Sequence, residues 1–194
     1  MSLELKYPTS TPREFTLSVL TEDKSGLLNQ LTIIFTKRKI NINSLNVSNT
    51  EVKGVSRFTI VTETSKDMID NIVKQIRKLI DVLGAFVYEE HQIFYQEIAL
   101  YKVPKYAIVD GNSIEDLVSK SGARILVVET DYMIIEKTGN SRETHDLYQK
   151  LEPFGLLEFI RSGRVAISKS TRKTEAYIKE LEASNSNKLS IKDF

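Results

Sequence analysis

Hydrophobic residues in the first half of the chain change their spacing from one segment to the next, and the changes predict six elements. Alternation over 15–20 predicts a strand, and apolar residues at helical spacing from Leu27 to Phe35 predict a helix. Strands follow over 42–47 and 55–62, then a helix starting at Ser65 with Asp67 in its first turn and an apolar stripe to Ile80, and a strand over 82–88. This βαββαβ order builds a four-stranded antiparallel sheet with two helices on one face.

The second half repeats the same order. Strands are predicted over 98–103, 125–128 and 133–135, a short helix ends near Gly122, and a second helix stops before Pro153. A last strand is interrupted at Ser162-Gly163. The predicted fold class is therefore α+β, with two tandem ferredoxin-like βαββαβ domains at 14–90 and 91–170. Residues 1–13 are predicted to be a flexible lead-in, and 171–194 a helical or disordered tail with a weak stripe of Ala176, Tyr177 and Leu181.

The turn from Thr21 to Leu28, between the first strand and the first helix, is a candidate anion site. The first N–H groups of a helix have no intrahelical partner and carry the positive end of its dipole. Gly26 has no Cβ, so an anion can approach the backbone closely. The alternative is a plain strand-to-helix turn in which Ser25 or Asp23 caps the helix. On local chemistry alone the plain turn is the commoner outcome.

Two features after the first helix have alternatives of the same kind. Asn41 is predicted to begin the second strand, with a side chain that both donates and accepts, or else to cap the helix in the left-handed conformation. The basic run 37–39 is predicted in the last turn of the helix, where cations suit the dipole, rather than as an anion site. Gly54 is available for a positive φ in the hairpin between the second and third strands.

Composition narrows the possible functions. The 194 residues include 27 basic and 26 acidic ones, and the net charge of +1 gives no general argument for a nucleic-acid or membrane partner. The absence of Cys excludes disulfides and thiolate catalysis. There is no apolar run of bilayer length and no secretory signal, so we expect a soluble, cytoplasmic protein.

Catalytic motifs are scarce. The two histidines have no partners at metal-ligand or catalytic spacing, and no metal site is predicted. RNA-binding sheets with this element order stack bases on exposed aromatic residues, but Phe58 falls at a core position and its neighbours on the strand are not aromatic. A binding or regulatory role is therefore favoured over an enzyme or an RNA-binding protein.

Several segments resemble a known family. Asp23 to Leu28 looks like the loop of ACT domains, small βαββαβ modules that bind amino acids at subunit interfaces. More specifically, residues 14–170 resemble the small regulatory subunit of acetolactate synthase (acetohydroxyacid synthase). The matching segments are 17–20, 23–28, 35–38, 41–45, 56–60, 75–82, 96–100 and, most tellingly, 161–168 (Arg-Ser-Gly-Arg-Val-Ala-Ile-Ser).

The resemblance implies a non-catalytic subunit of branched-chain amino acid biosynthesis, with no cofactor of its own. It would form a homodimer, bind and activate a large catalytic subunit that uses thiamine diphosphate, Mg²⁺ and FAD, and confer feedback inhibition by valine or a related amino acid. The implied effector site comprises Asp23, Lys24, Ser25, Gly26, Leu27, Leu28, Asn41 and Ile42.

In that site the N–H groups of Gly26 to Leu28 hold the effector carboxylate, and Asp23 or Asn41 meets its ammonium group. Leu27 and Ile42 line its side chain, and Asn41 comes from the neighbouring protomer. The sequence departs from the family at Asp23, where Asn is frequent, at Lys39, where Gly is frequent, and in the extra tail 171–194. A free-standing, amino-acid-binding ACT regulator of another pathway is the alternative function.

Overall fold

Two units make up the fold of the computed structural model, which describes residues 11–105, 113–171 and Ala176. The first comprises Met1–Phe94 with Ile167–Phe194, and the second Tyr95–Ala166. The predicted domain limits of 14–90 and 91–170 differ from these units and stay a prediction. Most of the predicted lead-in and tail lies outside the described residues, although Arg13 already belongs to the first strand.

The first unit confirms the predicted βαββαβ order. Its elements are β1 (Arg13–Glu22), α1 (Leu27–Thr36), β2 (Ser44–Asn49), β3 (Val55–Thr64), α2 (Lys66–Ile76) and β4 (Val82–Tyr88). The four strands form one antiparallel sheet in the order β2-β3-β1-β4. Side chains alternate across a strand, so Phe15, Leu17 and Val19 share one face of β1 and pack with Phe58 and Ile60 of β3 against α1 and α2.

The predicted start of α2 and the predicted glycine of the hairpin between β2 and β3 are both confirmed. Ser65 is the N-cap of α2, where its Oγ accepts a hydrogen bond from Met68 N at 3.4 Å, and Asp67 lies in the first turn. Gly54 has a φ of 78°, as the hairpin requires. The predicted stripe nevertheless runs past the helix, which ends at Ile76, and Ile80 is 96% exposed. Just beyond the helix, the Arg77 guanidinium donates to Ala85 O of β4.

The end of α1 and the segment after it correct three predictions. The helix ends at Thr36, so the basic run 37–39 lies beyond its last turn, although Arg38 Nη1 still donates to Ile34 O at 2.9 Å. The left-handed residue is Lys39, with a φ of 54°, and not Asn41. The strand predicted to begin with Asn41 and Ile42 starts later, at Ser44, because Asn43 is the first residue whose N–H bonds to β3, at Val61 O.

The second sheet follows the same order with one added strand. A 3-10 turn, Glu90–Gln92, leads into β5 (Ile93–Pro104). Then come α3 (Ser113–Lys120), β6 (Arg124–Val128), β7 (Tyr132–Gly139), α4 (Ser141–Leu151), β8 (Glu158–Arg161) and β9 (Val165–Ser168). The strand order is β6-β7-β5-β8, with β9 also paired to β5, and the predicted fold class is confirmed.

The core of the second unit lies between this sheet and its helices. Its fully buried members come from every layer: Ala99, Tyr101, Val103, Ile114, Met133, Ile135, Leu147 and Leu151. As predicted, α4 stops before Pro153, which lies in a 3-10 turn, Glu152–Phe154. None of the helices within the described residues is long and apolar enough to cross a membrane.

Candidate functional site

The turn between β1 and α1 leaves the start of the helix without a side-chain cap. Gly26 is the N-cap residue, with a φ of 87°, and no side chain accepts a hydrogen bond from the first turn. Neither Ser25 nor Asp23 therefore caps α1, which corrects the plain-turn alternative. A Cβ at position 26 would have no atom within 4 Å, so the space beside the backbone is open. The first-turn N–H groups retain their capacity to bind an anion.

Asp23 is held by β3 rather than by the helix. Its N–H donates to Gly54 O at 2.9 Å, and its Oδ1 lies 3.1 Å from Ser56 Oγ. The same hydroxyl lies 3.2 Å from Asn49 Oδ1 at the end of β2. The carboxylate thus has a fixed position beside the turn, and its second oxygen can accept from a ligand.

Lys24 is engaged by two acidic neighbours. Its Nζ lies 2.8 Å from Asp81 Oδ1 and 2.6 Å from Glu22 Oε2. The hydrogen bonds that Lys24 donates to Asp81 and, second, to Glu22 raise the pKa of Lys24, so the side chain is a cation at neutral pH. Because both carboxylates contact Lys24, its side chain links the turn to Glu22 at the end of β1 and to Asp81 just before β4.

The two leucines of the predicted site point in different directions. Leu27 is 1% exposed and belongs to the core beneath the sheet, so it is not available to line a ligand. Leu28 is 44% exposed at the start of the same helix. Ile42 is half-buried and packs against the edge of the core. The apolar surface beside Gly26 is therefore Leu28 and not Leu27.

Asn41 lies far from the turn within one chain. Its backbone oxygen accepts from Thr62 Oγ1 at 2.7 Å, and Thr62 pairs with Phe15 of β1. Phe15 is seven residues from Glu22, which is roughly 23 Å at 3.3 Å per strand residue. The structure thus brings together residues 23–28 and separates them from Asn41 and Ile42. A molecule of amino-acid size cannot contact both groups in the same copy.

A hollow in the first unit does not coincide with the predicted site. It encloses about 630 Å³ and is lined by residues 11–14 and 89–91. Arg13 and Glu89, its central charges, form an ion pair at 3.1 Å. In the part of the chain that the structure describes, no three His, Asp or Glu residues are grouped as a metal site would require.

Family models match most of both halves of the chain. A model described as the AHAS small subunit-like ACT domain covers residues 17–84, and one for the small subunit of acetolactate synthase covers 96–170. The acetolactate synthase small subunit of Mycolicibacterium smegmatis is 40% identical over 81% of this chain and 92% of its own length. The chain belongs to the family of acetolactate synthase small subunits. The small subunit of Bacillus subtilis is 34% identical, over 82% of this chain and 92% of its own.

A solved structure agrees with the family assignment. The crystal structure of the acetolactate synthase small subunit from Thermotoga maritima superposes with a TM-score of 0.74 at 28% identity. The superposition covers 82% of this chain and 99% of the other. The small subunit from Thermotoga maritima therefore shares the fold of this chain.

Within this family's fold, the residues that brace the turn were not predicted from sequence. Ser56 and Gly54 reach Asp23, and Asn49 reaches Ser56, only because β3 pairs with β1 and β2. Asp81 reaches Lys24 across 57 positions. The only local signal is the hairpin glycine, Gly54, whose sequence context predicts a turn but not a position beside the site.

Proposed function

We propose that this chain is the non-catalytic regulatory subunit of an acetolactate synthase. It binds a large catalytic subunit, raises its activity and makes it sensitive to a branched-chain amino acid. The observation that carries the proposal is the match over both halves to proteins named as small subunits, with 92% of the M. smegmatis protein covered. Thiamine diphosphate, Mg²⁺ and FAD are assigned to the catalytic partner.

The effector carboxylate is proposed to bind at the N-terminus of α1. Three observations support this position: Gly26 has a positive φ, the helix start has no side-chain cap, and the adjoining space is open. The helix dipole adds a favourable term of typically 0.3–1 kcal/mol for an anion at such a position. Asp23 is in place to meet the ammonium group, and Leu28 to contact the apolar side chain.

The complete site is proposed to need two copies of the chain. Asn41 and Ile42 lie at the opposite end of the sheet from Gly26, roughly 23 Å away by strand length. A second copy can present its own Asn41 and Ile42 to the turn of the first, which would give the site both a carboxamide and a half-buried apolar wall. A homodimer would then carry the site at its interface.

Such a site couples binding to assembly. An amino acid that contacts two copies favours the arrangement of the dimer in which both copies can contact it. It shifts the equilibrium between arrangements only by the difference in its affinity for them. In this proposal valine, or a related amino acid, stabilises an arrangement in which the catalytic subunit is less active.

Reconstitution with the cognate catalytic subunit tests the proposal. The purified chain alone should form no acetolactate, and it should raise the rate of the catalytic subunit supplied with its cofactors. Adding valine, leucine or isoleucine should then lower the rate of the mixture more than that of the catalytic subunit alone. An unchanged rate on mixing would contradict the proposal. Amino-acid binding by calorimetry with no recovery of a large partner would instead favour the free-standing regulator.

A further inference from the structure

Two hydroxyl side chains end the helix-covered face of the first sheet beside the turn that precedes α1. Phe58 and Val19 form an apolar pair on this face, and two residues further towards the turn Ser56 pairs with Thr21. Both hydroxyl residues are buried, with an exposed fraction of 5% for Ser56 and 0% for Thr21. Thr21 Oγ1 donates to the backbone oxygen of Glu22 at 2.9 Å. The Ser56 hydroxyl is instead directed towards side chains at the turn.

The Ser56 hydroxyl lies between two side chains but has a single proton. Its Oγ is 3.1 Å from Asp23 Oδ1 and 3.2 Å from Asn49 Oδ1. A hydroxyl donates once and accepts through its lone pairs, and the hydrogen bonds of an amide decide which end bears the nitrogen. An ionised carboxylate can only accept, so the proton goes to Asp23, and Asn49 is satisfied when its NH₂ group faces the hydroxyl. Donation then runs from Asn49 to Ser56 and from Ser56 to Asp23.

This chain of hydrogen bonds holds one oxygen of the Asp23 carboxylate against β3. The backbone of Asp23 is held to the same strand region, because its N–H donates to Gly54 O at 2.9 Å. With the backbone and Oδ1 both fixed, Oδ2 can accept from a ligand beside the start of α1. Asp23 is exposed, and an exposed side chain without such bonds would lose rotamer freedom when a ligand binds. The bond from Ser56 therefore prepares the carboxylate for binding.

The charges at the turn favour a ligand that brings a positive group. Glu22, Asp23 and Asp81 supply three carboxylates. The ammonium group of Lys24 lies against Glu22 and Asp81, and not against Asp23. A ligand whose only charge is a carboxylate would bind the N–H groups of α1 beside the Asp23 carboxylate, which repels it, whereas a zwitterion places its ammonium there.

We propose that Ser56, supported by Asn49, is a positioning residue that makes the site selective for α-amino acids over the 2-oxo acids of the same carbon skeleton. The two classes of ligand share the carboxylate and the branched side chain, and they differ at the group that Asp23 would meet. The inference rests on the proposed function, since it requires an effector carboxylate at the start of α1. It adds the residues that set which class of effector is accepted.

Direct binding to the purified full-length chain tests the proposal. Valine, leucine and isoleucine are titrated by calorimetry, each beside the 2-oxo acid with the same side chain. The parent chain should bind its preferred amino acid at least about tenfold more tightly than the matching oxo acid, because only the amino acid bonds to Asp23 through a charged group. Ser56→Ala should weaken the amino acid at least about threefold and leave the oxo acid within about twofold of the parent. A merely structural role for Ser56 would weaken both ligands alike, so the ratio of the two affinities is the readout.

Ser48→Ala is the matched control for this variant. Ser48 of β2 pairs with Arg57, one residue from the pair formed by Asn49 and Ser56, so strand alternation places it on the other face of the sheet. The same substitution there should leave both affinities unchanged. Ser56→Thr keeps a hydroxyl and should retain most of the selectivity. Asn49→Ala should lower the selectivity less than Ser56→Ala does, because Asn49 is exposed and water can take the place of its amide.

Two results would overturn the positioning role and leave the proposed function standing. One is equal affinity of the parent chain for the amino acid and its oxo acid, and the other is an equal loss of both ligands in Ser56→Ala. A parent chain that binds none of the three amino acids would instead overturn the proposed effector site, and the inference with it.

Discussion

The two units follow the same order of elements, but α4 of the second unit and α1 of the first differ in how the polar groups at the start of the helix are satisfied. In the second unit, Asn140 Oδ1 accepts from the N–H groups of Arg142 and Glu143, both at 3.0 Å. Glu143 Oε2 accepts in return from Asn140 N at 2.8 Å. Gly139 leaves room for that side chain, because a Cβ there would lie 2.6 Å from Glu143 Oε2. In the first unit, α1 begins at Gly26 with no side-chain cap.

Buried polar groups of the second unit are also paired with one another. Glu97 of the second unit is 7% exposed and accepts from Thr144 Oγ1 at 2.5 Å and from Arg161 Nη1 at 3.2 Å. Tyr101 OH donates to Thr144 O at 2.6 Å, and burial raises the pKa of this phenol. These groups satisfy one another and tie α4 to β5 and β8. The comparison shows that a helix start can bind a ligand only where no side chain already accepts from its N–H groups. Of these two helix starts, that condition holds at α1 and not at α4.

Filling the start of α1 with a fixed charge should produce the largest effect. Gly26→Asp places a carboxylate beside the N–H groups proposed for the effector, so it should weaken amino-acid inhibition at least about tenfold. The reason is that hydrogen bonds to a charged group contribute roughly 1.5–3 kcal/mol and would be lost to the effector. Activation of the catalytic subunit should remain. The measurement is the rate of the reconstituted enzyme against amino-acid concentration.

Gly26→Asn is the matched control for this variant. Asn has the size of Asp, tolerates the same left-handed backbone and carries no charge. It should therefore keep more of the inhibition than Asp does. Full inhibition in both variants would refute the site at α1, and equal loss in both would attribute the effect to the backbone and not to charge.

Features that depend on nearby residues were predictable from the sequence. The limits of β4, the Ser65 cap and the positive φ of Gly54 each follow from local periodicity or from the chemistry of one side chain. The end of α1 was not, because Lys39 takes the left-handed position that a Gly or Asn usually occupies. The lysine side chain does not favour that conformation, so the sequence does not predict it.

The candidate site was predictable only in part, because its geometry depends on strand order. The position of Gly26 in the turn between a strand and a helix was predictable from the sequence. The sequence could not show that Leu28, and not Leu27, lies on the surface beside Gly26. Both leucines fall at apolar helix positions, and only the packing shows which one enters the core. The separation of Asn41 from the turn appears only once β3 is known to pair with both β1 and β2.

Removing the cap of α4 should produce a smaller effect, on stability alone. Asn140→Ala deletes the acceptor of two N–H groups and should lower the free energy of unfolding by about 1 kcal/mol. Asn140→Ser retains a capping oxygen and should lose less. Both are measured by denaturant unfolding, and neither should alter amino-acid inhibition. A change in inhibition as large as that of Gly26→Asp would break the contrast between the two helix starts.

The pH dependence of stability should show the smallest effect, and it sharpens the contrast at Glu136 of the second sheet. The hydrogen bond from Thr138 Oγ1, at 2.6 Å, and that from Arg124 hold the pKa of Glu136 below its ordinary value of 4.5. A carboxyl whose pKa is lower in the folded state stabilises the fold above the unfolded pKa. That stabilisation is lost as pH falls through the folded pKa. Glu136→Gln should therefore cost stability at pH 6, and the difference from the parent chain should shrink towards pH 3.

Thr138→Val tests the cause of this shift, because it removes the principal hydrogen bond to Glu136 and keeps a β-branched strand residue. It should give a pH dependence between those of the parent chain and Glu136→Gln, in unfolding curves recorded at each pH. A difference between the parent chain and Glu136→Gln that stays constant from pH 6 to pH 3 would show that the bonds to Glu136 do not favour its charged form. The hydrogen bonds of Thr138 and Arg124 to Glu136 would then no longer be an example of polar groups in the second unit that satisfy one another.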